Sequence, residues 1–211
     1  GEDLVPAYKK GLSAGGAPRV PHTEANPDIV FFPACVNAMF GGVDGEGKHD
    51  PVNATQAFIR LCERAGVKYR VPEGIDQMCC GTPWKSKGYT DGYSIMSDRV
   101  LKALWQATDG GRIPIVCDAS SCTEGLEVMR AKVAAAVEHK IPEGLGAVEA
   151  DYAQLKLIDS VQFAADTLLP KLTVSAPLPS LALHPTCSMT HLGVQPAFEK
   201  IANAMSEQVY V

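Results

Sequence analysis

The 211-residue sequence has no long apolar run, no basic cluster and no dense, even set of cysteines. No stretch reaches the roughly 18 apolar residues of a membrane-spanning helix, so no span is predicted. With a net charge of −5 and no extended basic run, the chain lacks the charge pattern that binds a phosphate backbone, and nucleic acid is not an expected partner. Seven cysteines do not resemble the even disulfide frameworks of small secreted proteins. We therefore expect a cytoplasmic protein with reduced, metal-binding or catalytic thiols, and leave open a peripheral association with the inner face of the membrane.

Five of the seven cysteines form the most informative pattern in the sequence. They are Cys35, the adjacent pair Cys79 and Cys80 followed by Gly81, and then Cys117 and Cys122. Adjacent thiols do not easily pair with each other, but they can share a polynuclear metal centre. The thiolate is a soft ligand that suits iron–sulfur clusters and zinc. Iron–sulfur ligation is therefore the first hypothesis.

Short apolar runs alternate with helical patterns along the chain. Buried strands are predicted at 29–32, 67–71, 113–116, 155–158 and 181–183, and helices follow most of them, including one with the apolar stripe Phe58, Leu61, Cys62 and Ala65 that ends at Gly66. This alternation predicts an α/β fold with largely parallel sheets flanked by helices. We expect a linker or arm at 1–27, a first half at 28–150, and the start of a second, truncated half at 151–211.

Three cysteines follow predicted strands directly. Cys35, Cys117 and Cys187 each stand at the carboxyl end of an apolar run. Open α/β sheets bind their ligands at that edge, and the amide groups of helices that begin there favour thiolates. We therefore expect these cysteines at the carboxyl ends of the strands.

An internal repeat relates the two halves. Residues 32–35 and 184–187 both contain a proline two residues before a cysteine, and a glycine follows each cysteine after six residues. After a shorter loop in the second copy, 57–71 aligns with 197–211 without internal gaps. The second copy stops before its own cysteine pair, so we expect this chain to be part of a longer protein.

The motifs at 31–41, 79–88 and 116–126 resemble the cysteine-rich CCG domain of heterodisulfide reductase B subunits and related iron–sulfur proteins. The same strings are most similar to the C-terminal region of FAD-binding, iron–sulfur D-lactate dehydrogenases. The resemblance covers about 28–211.

The resemblance implies an electron-transfer domain. An FAD domain upstream in the same polypeptide would oxidise a 2-hydroxy acid, and an iron–sulfur cluster of the 4Fe-4S type would relay electrons to quinone or a cytochrome. The expected metal ligands are Cys35, Cys79, Cys80, Cys117, Cys122 and Cys187, with no catalytic residue and no activity of this chain alone. Some family members bind zinc in one motif, so zinc is an alternative metal.

The spacing of the last two cysteines departs from the family pattern. Four residues separate Cys117 from Cys122 where the family commonly has two, so Cys122 ranks above Cys117 as a ligand. Gly81 and Trp84 are predicted cofactor-binding residues, because a tryptophan beside the cysteine pair can shield a cluster or tune its potential. Cys62 is predicted to be a core residue. His184 and His191 flank Cys187 and are candidate zinc ligands or proton carriers.

Two other functions remain open from the residues. One is a thiol or disulfide redox catalyst that uses Cys79 and Cys80 directly, of the heterodisulfide reductase type. The other is a structural zinc module that docks partner subunits. Iron and zinc analysis, together with the visible spectrum, separates all three.

Overall fold

A computed structural model describes residues 18–39, 53–138 and 150–211 of the chain. Residues 1–17 of the predicted arm, and Gly41 of the repeat, lie outside these ranges. The strands, in chain order, are β1 (Ile29–Phe32), β2 (Tyr69–Arg70), β3 (Ile115–Cys117), β4 (Leu157–Asp159), β5 (Leu181–Ala182) and β6 (Val209–Tyr210). The α-helices are α1 (Cys35–Met39), α2 (Ala54–Arg64), α3 (Thr82–Ser86), α4 (Thr90–Ala107), α5 (Ser120–Glu138), α6 (Ser160–Phe163), α7 (Cys187–Leu192) and α8 (Gln195–Met205).

The strands form two parallel sheets, as the alternating pattern predicts. The larger has the order β2-β1-β3-β4, and the smaller pairs β5 with β6. All four residues of β1 and all three of β3 are buried, because these two strands occupy the middle of the larger sheet. The predicted fold class of parallel sheets flanked by helices is confirmed.

The register of the larger sheet fixes which residues meet at its carboxyl edge. Phe32 at the end of β1 lies opposite Cys117 at the end of β3, and Cys117 lies opposite Asp159 at the end of β4. The chain segments that leave these strands therefore start side by side.

Helix α2 shows how local sequence sets an element. Asn53 caps its first turn by accepting a hydrogen bond from the Gln56 amide at 2.8 Å, and the Gln56 side chain accepts one from the Asn53 amide. The helix ends at Arg64, and Gly66 follows with a φ of +66°, a conformation that favours glycine. The predicted stripe is right for Phe58 and Cys62, which are buried, but wrong for Leu61, which is 36% exposed.

The second sheet repeats the order of elements around β1 and β2. In both copies a strand is followed by a short helix that begins with cysteine, an 11-residue helix and a two-residue parallel strand. Cys35 and Cys187 occupy the same position, the first residue of the short helix. This arrangement agrees with the internal repeat in the sequence.

A glycine with a positive φ follows the end of α3 (Gly88, +73°) and the end of α4 (Gly110, +73°), a conformation that favours glycine. Within the part of the chain that the structure describes, no helix is long and apolar enough to cross a lipid bilayer.

Candidate metal centre

Five cysteines from three separate stretches of chain meet at the carboxyl edge of the larger sheet. Their thiols interact pairwise in the order Cys35, Cys79, Cys80, Cys122, Cys117, through interactions that shift the pKa values of the first four, and we call these residues the five-cysteine network. Cys80, Cys117 and Cys122 are buried, whereas Cys35 and Cys79 are partly exposed. The network thus has a buried end against β3 and an end that solvent can reach.

Cys80 is the central member of the network. Hydrogen bonds from the thiols of Cys122 and then Cys79, opposed by burial, lower the pKa of Cys80 to about 2. The backbone amide of Thr82 also donates to this sulfur, and the Thr82 hydroxyl lies 3.4 Å from it. Cys80 is therefore the thiolate that its neighbours hydrogen-bond.

A second thiolate lies at the exposed end of the network. The hydrogen bond from Cys79 lowers the pKa of Cys35 to about 6, with a smaller contribution from the positive charge of Arg19. The same bond, together with the one to Cys80, raises the pKa of Cys79. Hydrogen bonds with Cys117 and Cys80 likewise raise the pKa of Cys122. Lowered and raised pKa values therefore alternate over these four residues.

Asp118 ties the loop after β1 to the end of β3. Its carboxylate accepts hydrogen bonds from the Ala34 amide at 2.6 Å, from Asn37 Nδ2 at 3.1 Å and from Thr55 Oγ1 at 2.5 Å. Burial raises the pKa of Asp118 in spite of these three bonds. Cys35 directly follows Ala34, whose amide binds Asp118, and Cys117 directly precedes Asp118. The Asp118 carboxylate therefore sets the relative position of these two cysteines.

The cysteine pair lies directly on helix α5. A Cβ atom added at Gly125 would stand 2.6 Å from the Cys80 carbonyl oxygen and 2.6 Å from Thr82 Oγ1. Gly81 has a φ of +81°, and a Cβ there would stand 2.4 Å from a methyl carbon of Met129. Neither Gly125 on the helix nor Gly81 in the loop therefore has room for a side chain.

We expect the substitution Gly125→Ala to displace the cysteine pair. Alanine favours a helix by about 1 kcal/mol over glycine, so without the contact the variant would be the more stable protein. Because the new methyl group overlaps backbone, we expect instead a loss of about 1–3 kcal/mol in the free energy of unfolding. Denaturant unfolding measures the sign directly. An increase in stability would show that the loop and the helix are not in contact.

Gly81 and Trp84 both pack against neighbouring side chains or helices of the domain. Gly81 precedes α3 and packs against Tyr93 and Met129, and the Trp84 indole lies against Gly92 of α4, where a Cβ would be only 2.5 Å from the ring. Trp84 also makes an edge contact with Tyr89, at 6.4 Å between ring centroids. Their predicted role in cofactor binding stays a prediction.

Cys187 is not brought into the network. It is exposed at the start of α7, and among the described residues it has no hydrogen bond to another cysteine. The same helix is held to α5 by Glu124, which accepts a 2.6 Å bond from Ser188 Oγ and lies 3.0 Å from His191 Nδ1. His184 is exposed. The prediction that Cys187 is a ligand remains a prediction.

Sequence reasoning missed Arg19, Asp118 and Gly125. Asp118 had a signal, because a carboxylate directly after a buried strand is a polar group at the edge where open sheets bind ligands. Arg19 lies in a segment rich in glycine and proline, and Gly125 is a single glycine within a helical pattern. A single sequence contains nothing that distinguishes either position from one without a structural or functional role.

The donor set fits an iron–sulfur cluster. All five side chains are soft sulfur donors of the kind that iron–sulfur centres use. Within the described ranges, no three His, Cys, Asp or Glu side chains are grouped as the ligands of one metal ion. The cysteine content of the site, Cys35, Cys79, Cys80, Cys117 and Cys122, is compatible with an iron–sulfur cluster.

Comparisons with known proteins agree with the cysteine pattern. No curated protein and no solved structure matches the chain. The model of one family, the CCG cysteine-rich domain, matches residues 29–127, a range that begins with β1 and includes the whole five-cysteine network. Proteins with this domain include redox enzymes. The match supports a cysteine-rich CCG domain at residues 29–127, which is consistent with an iron–sulfur or redox module.

Proposed function

We propose that this chain is the iron–sulfur electron-transfer part of a flavin-dependent D-lactate, or related 2-hydroxy acid, dehydrogenase. The observation that supports an iron–sulfur function is the connection of five cysteines, from three separate stretches, into one network at the carboxyl edge of a parallel sheet. The narrower assignment to a D-lactate dehydrogenase rests on the similarity of the motifs at 31–41, 79–88 and 116–126.

The protein would hold the cluster through its cysteine thiolates and control its surroundings. A bound iron–sulfur cluster accepts and donates single electrons. Burial of Cys80, Cys117 and Cys122 keeps water from one side of the site, and hydrogen bonds to a ligand sulfur raise the reduction potential of such a centre. The Thr82 amide supplies such a bond at Cys80. The partly exposed Cys35 and Cys79 mark the side from which electrons would arrive or leave.

In the complete protein, electrons would come from an FAD domain upstream in the same polypeptide and pass to quinone or a cytochrome. We propose that residues 28–150 form the first cysteine-rich half and that 151–211 begin the second, with Cys187 as its first ligand. The encoded sequence on both sides of this chain tests the proposal. An upstream FAD domain and a downstream second cysteine pair support it, and their absence contradicts it.

Anaerobic reconstitution with ferrous iron and sulfide tests the iron–sulfur function. We expect bound iron, broad visible absorption and bleaching of that absorption on reduction, because the thiolates are soft donors that bind several irons. Reconstitution with zinc, and with iron but no sulfide, provides the controls. A colourless protein that takes up zinc in preference to iron would contradict the proposal and favour the structural zinc module.

One observation supports a second candidate, a thiol or disulfide redox catalyst. Cys35 is partly exposed, its pKa is lowered to about 6, and it lies beside Cys79, as in reactive dithiols. Attack of one thiolate on a disulfide substrate would release one substrate thiol, and attack by the second thiol would release the other and leave an oxidised pair. Turnover of a small disulfide by the iron-free chain with a dithiol reductant would favour this candidate.

A further inference from the structure

Arg19 spans the two loops that carry Cys35 and the Cys79–Cys80 pair. Its guanidinium donates to the carbonyl oxygen of Pro33 at 3.4 Å, of Asp76 at 3.1 Å and of Met78 at 2.8 Å. Pro33 lies two residues before Cys35, and Met78 directly precedes Cys79. One side chain thus connects the segments that deliver three members of the network.

These contacts need the shape of arginine. The planar guanidinium presents five N–H donors in a fixed fork and can reach several carbonyl oxygens at once. A lysine ammonium carries the same charge on one nitrogen, and it cannot span two loops in the same way. Glutamine would lose both the fork and the charge.

The segment that carries Arg19 is fixed to the domain although it precedes the matched range 29–127. The backbones of His22 and Val71 exchange two hydrogen bonds, at 3.2 and 2.9 Å. Arg70 of β2 donates to the Glu24 carbonyl oxygen at 3.1 and 3.0 Å. Arg19 is therefore presented from a backbone that is held at two later points.

We propose that Arg19 is a positioning residue of the five-cysteine network, which holds the Cys35 loop against the loop of the cysteine pair and places a cation beside them. The positioning role requires only the cysteine site. The role of the charge rests on the proposed function: a nearby cation stabilises the reduced, more negative state of a bound cluster and raises its reduction potential.

Two substitutions separate the two roles. Arg19→Lys keeps the charge and removes the bridge, whereas Arg19→Gln removes both. Arg70→Lys is the matched control, because Arg70 also binds backbone carbonyl groups of the 18–27 segment, and its other contacts are Ala107 and Asp109. Within the part of the chain that the structure describes, Arg70 makes no side-chain hydrogen bond to a cysteine loop.

Hydrogen exchange of the iron-free, reduced chain measures the positioning role. Both Arg19 variants should exchange backbone amides at 34–37 and 78–82 about fivefold faster or more, while Arg70→Lys leaves these amides unchanged. Equal rates in the Arg19 variants and the original protein would overturn the proposal. So would an equal increase in Arg70→Lys, because the effect would then come from loosening the 18–27 segment.

The reduction potential of the iron-loaded chain measures the role of the charge. We expect a shift to lower potential in Arg19→Gln that is larger than the shift in Arg19→Lys. Equal shifts would overturn the role of the charge while hydrogen exchange still decides the positioning role. If the original chain binds no iron, the proposed function fails, and the exchange data remain a valid test of Arg19.

Discussion

The variant Cys80→Ser is expected to bind no iron above background after anaerobic reconstitution, and to lack the visible absorption of the loaded chain. Cys80 is the central sulfur of the five-cysteine network, with Cys79 on one side and Cys122 on the other. Serine has nearly the same size but lacks the soft, readily ionised sulfur that iron–sulfur centres require. The substitution therefore separates the two halves of the ligand set without a large change in volume.

Two other cysteines provide matched controls for this loss. Cys187→Ser changes an exposed thiol outside the network, and we expect it to retain the iron content of the original chain. Cys62→Ala changes a fully buried thiol whose pKa is raised by burial to about 12, so this cysteine is a core residue. Its cost should appear in unfolding experiments and not in the iron bound per folded molecule.

The pattern of iron loss across the three variants tests whether the five-cysteine network holds the iron. Iron loss only in Cys80→Ser supports ligation by the network. Equal iron content in Cys80→Ser and the original chain would contradict it, since the central thiolate would then be dispensable. Loss of iron in Cys187→Ser would show that the second motif takes part in the same centre, which would contradict the separation of Cys187 from the network.

The location of the site could be predicted because it depends on local patterns. The apolar runs before Cys35 and Cys117 are short and bounded by proline or polar residues, so they indicate buried strands. Parallel strands place their carboxyl ends at one edge, and that rule alone brings the two cysteines close together. The cysteine pair was placed in the same site by its similarity to the family motif and not by periodicity.

Other features depend on tertiary contacts that one sequence does not record. Leu61 follows the helical spacing of Phe58, but it faces a groove with Leu168 and Ile201 and remains 36% exposed. The role of Arg19 depends on carbonyl groups 14 and 59 residues away in the chain. The separation of Cys187 depends on how α7 packs on α5 through Glu124. The composition of the sequence and the spacing of its residues do not reveal any of these three contacts.

The second large effect is expected for Asp118→Ala. The alanine would leave the Ala34 amide, Asn37 Nδ2 and Thr55 Oγ1 without their acceptor. A buried donor without a partner costs about 1–3 kcal/mol, so we expect the free energy of unfolding to fall by about 3 kcal/mol. Because the Ala34 amide immediately precedes Cys35, the same change should free the Cys35 loop and reduce iron loading.

Thr108→Ala is the control that separates lost stability from lost geometry. Thr108 is buried directly after α4, and its hydroxyl donates to the Leu104 carbonyl oxygen at 2.7 Å and accepts from the Gly111 amide at 2.9 Å, neither of which is next to a cysteine of the network. Both alanine variants should unfold more easily in denaturant, but only Asp118→Ala should bind less iron per folded molecule. If Asp118→Ala lowers the free energy of unfolding by less than about 0.5 kcal/mol, the three hydrogen bonds to Asp118 are contradicted, since such small values are typical of neutral surface positions.

Asp118→Asn provides the finer comparison at the same site. The amide oxygen can still accept the bond from the Ala34 amide, and the Thr55 hydroxyl can turn to accept from the new NH₂ group, so only the bond from Asn37 lacks an acceptor. We therefore expect a stability loss of about 1 kcal/mol and an iron content close to that of the original chain. If Asp118→Asn loses as much iron as Asp118→Ala, the negative charge itself is required. Asp118 would then act on the centre electrostatically and not through the position of the Cys35 loop.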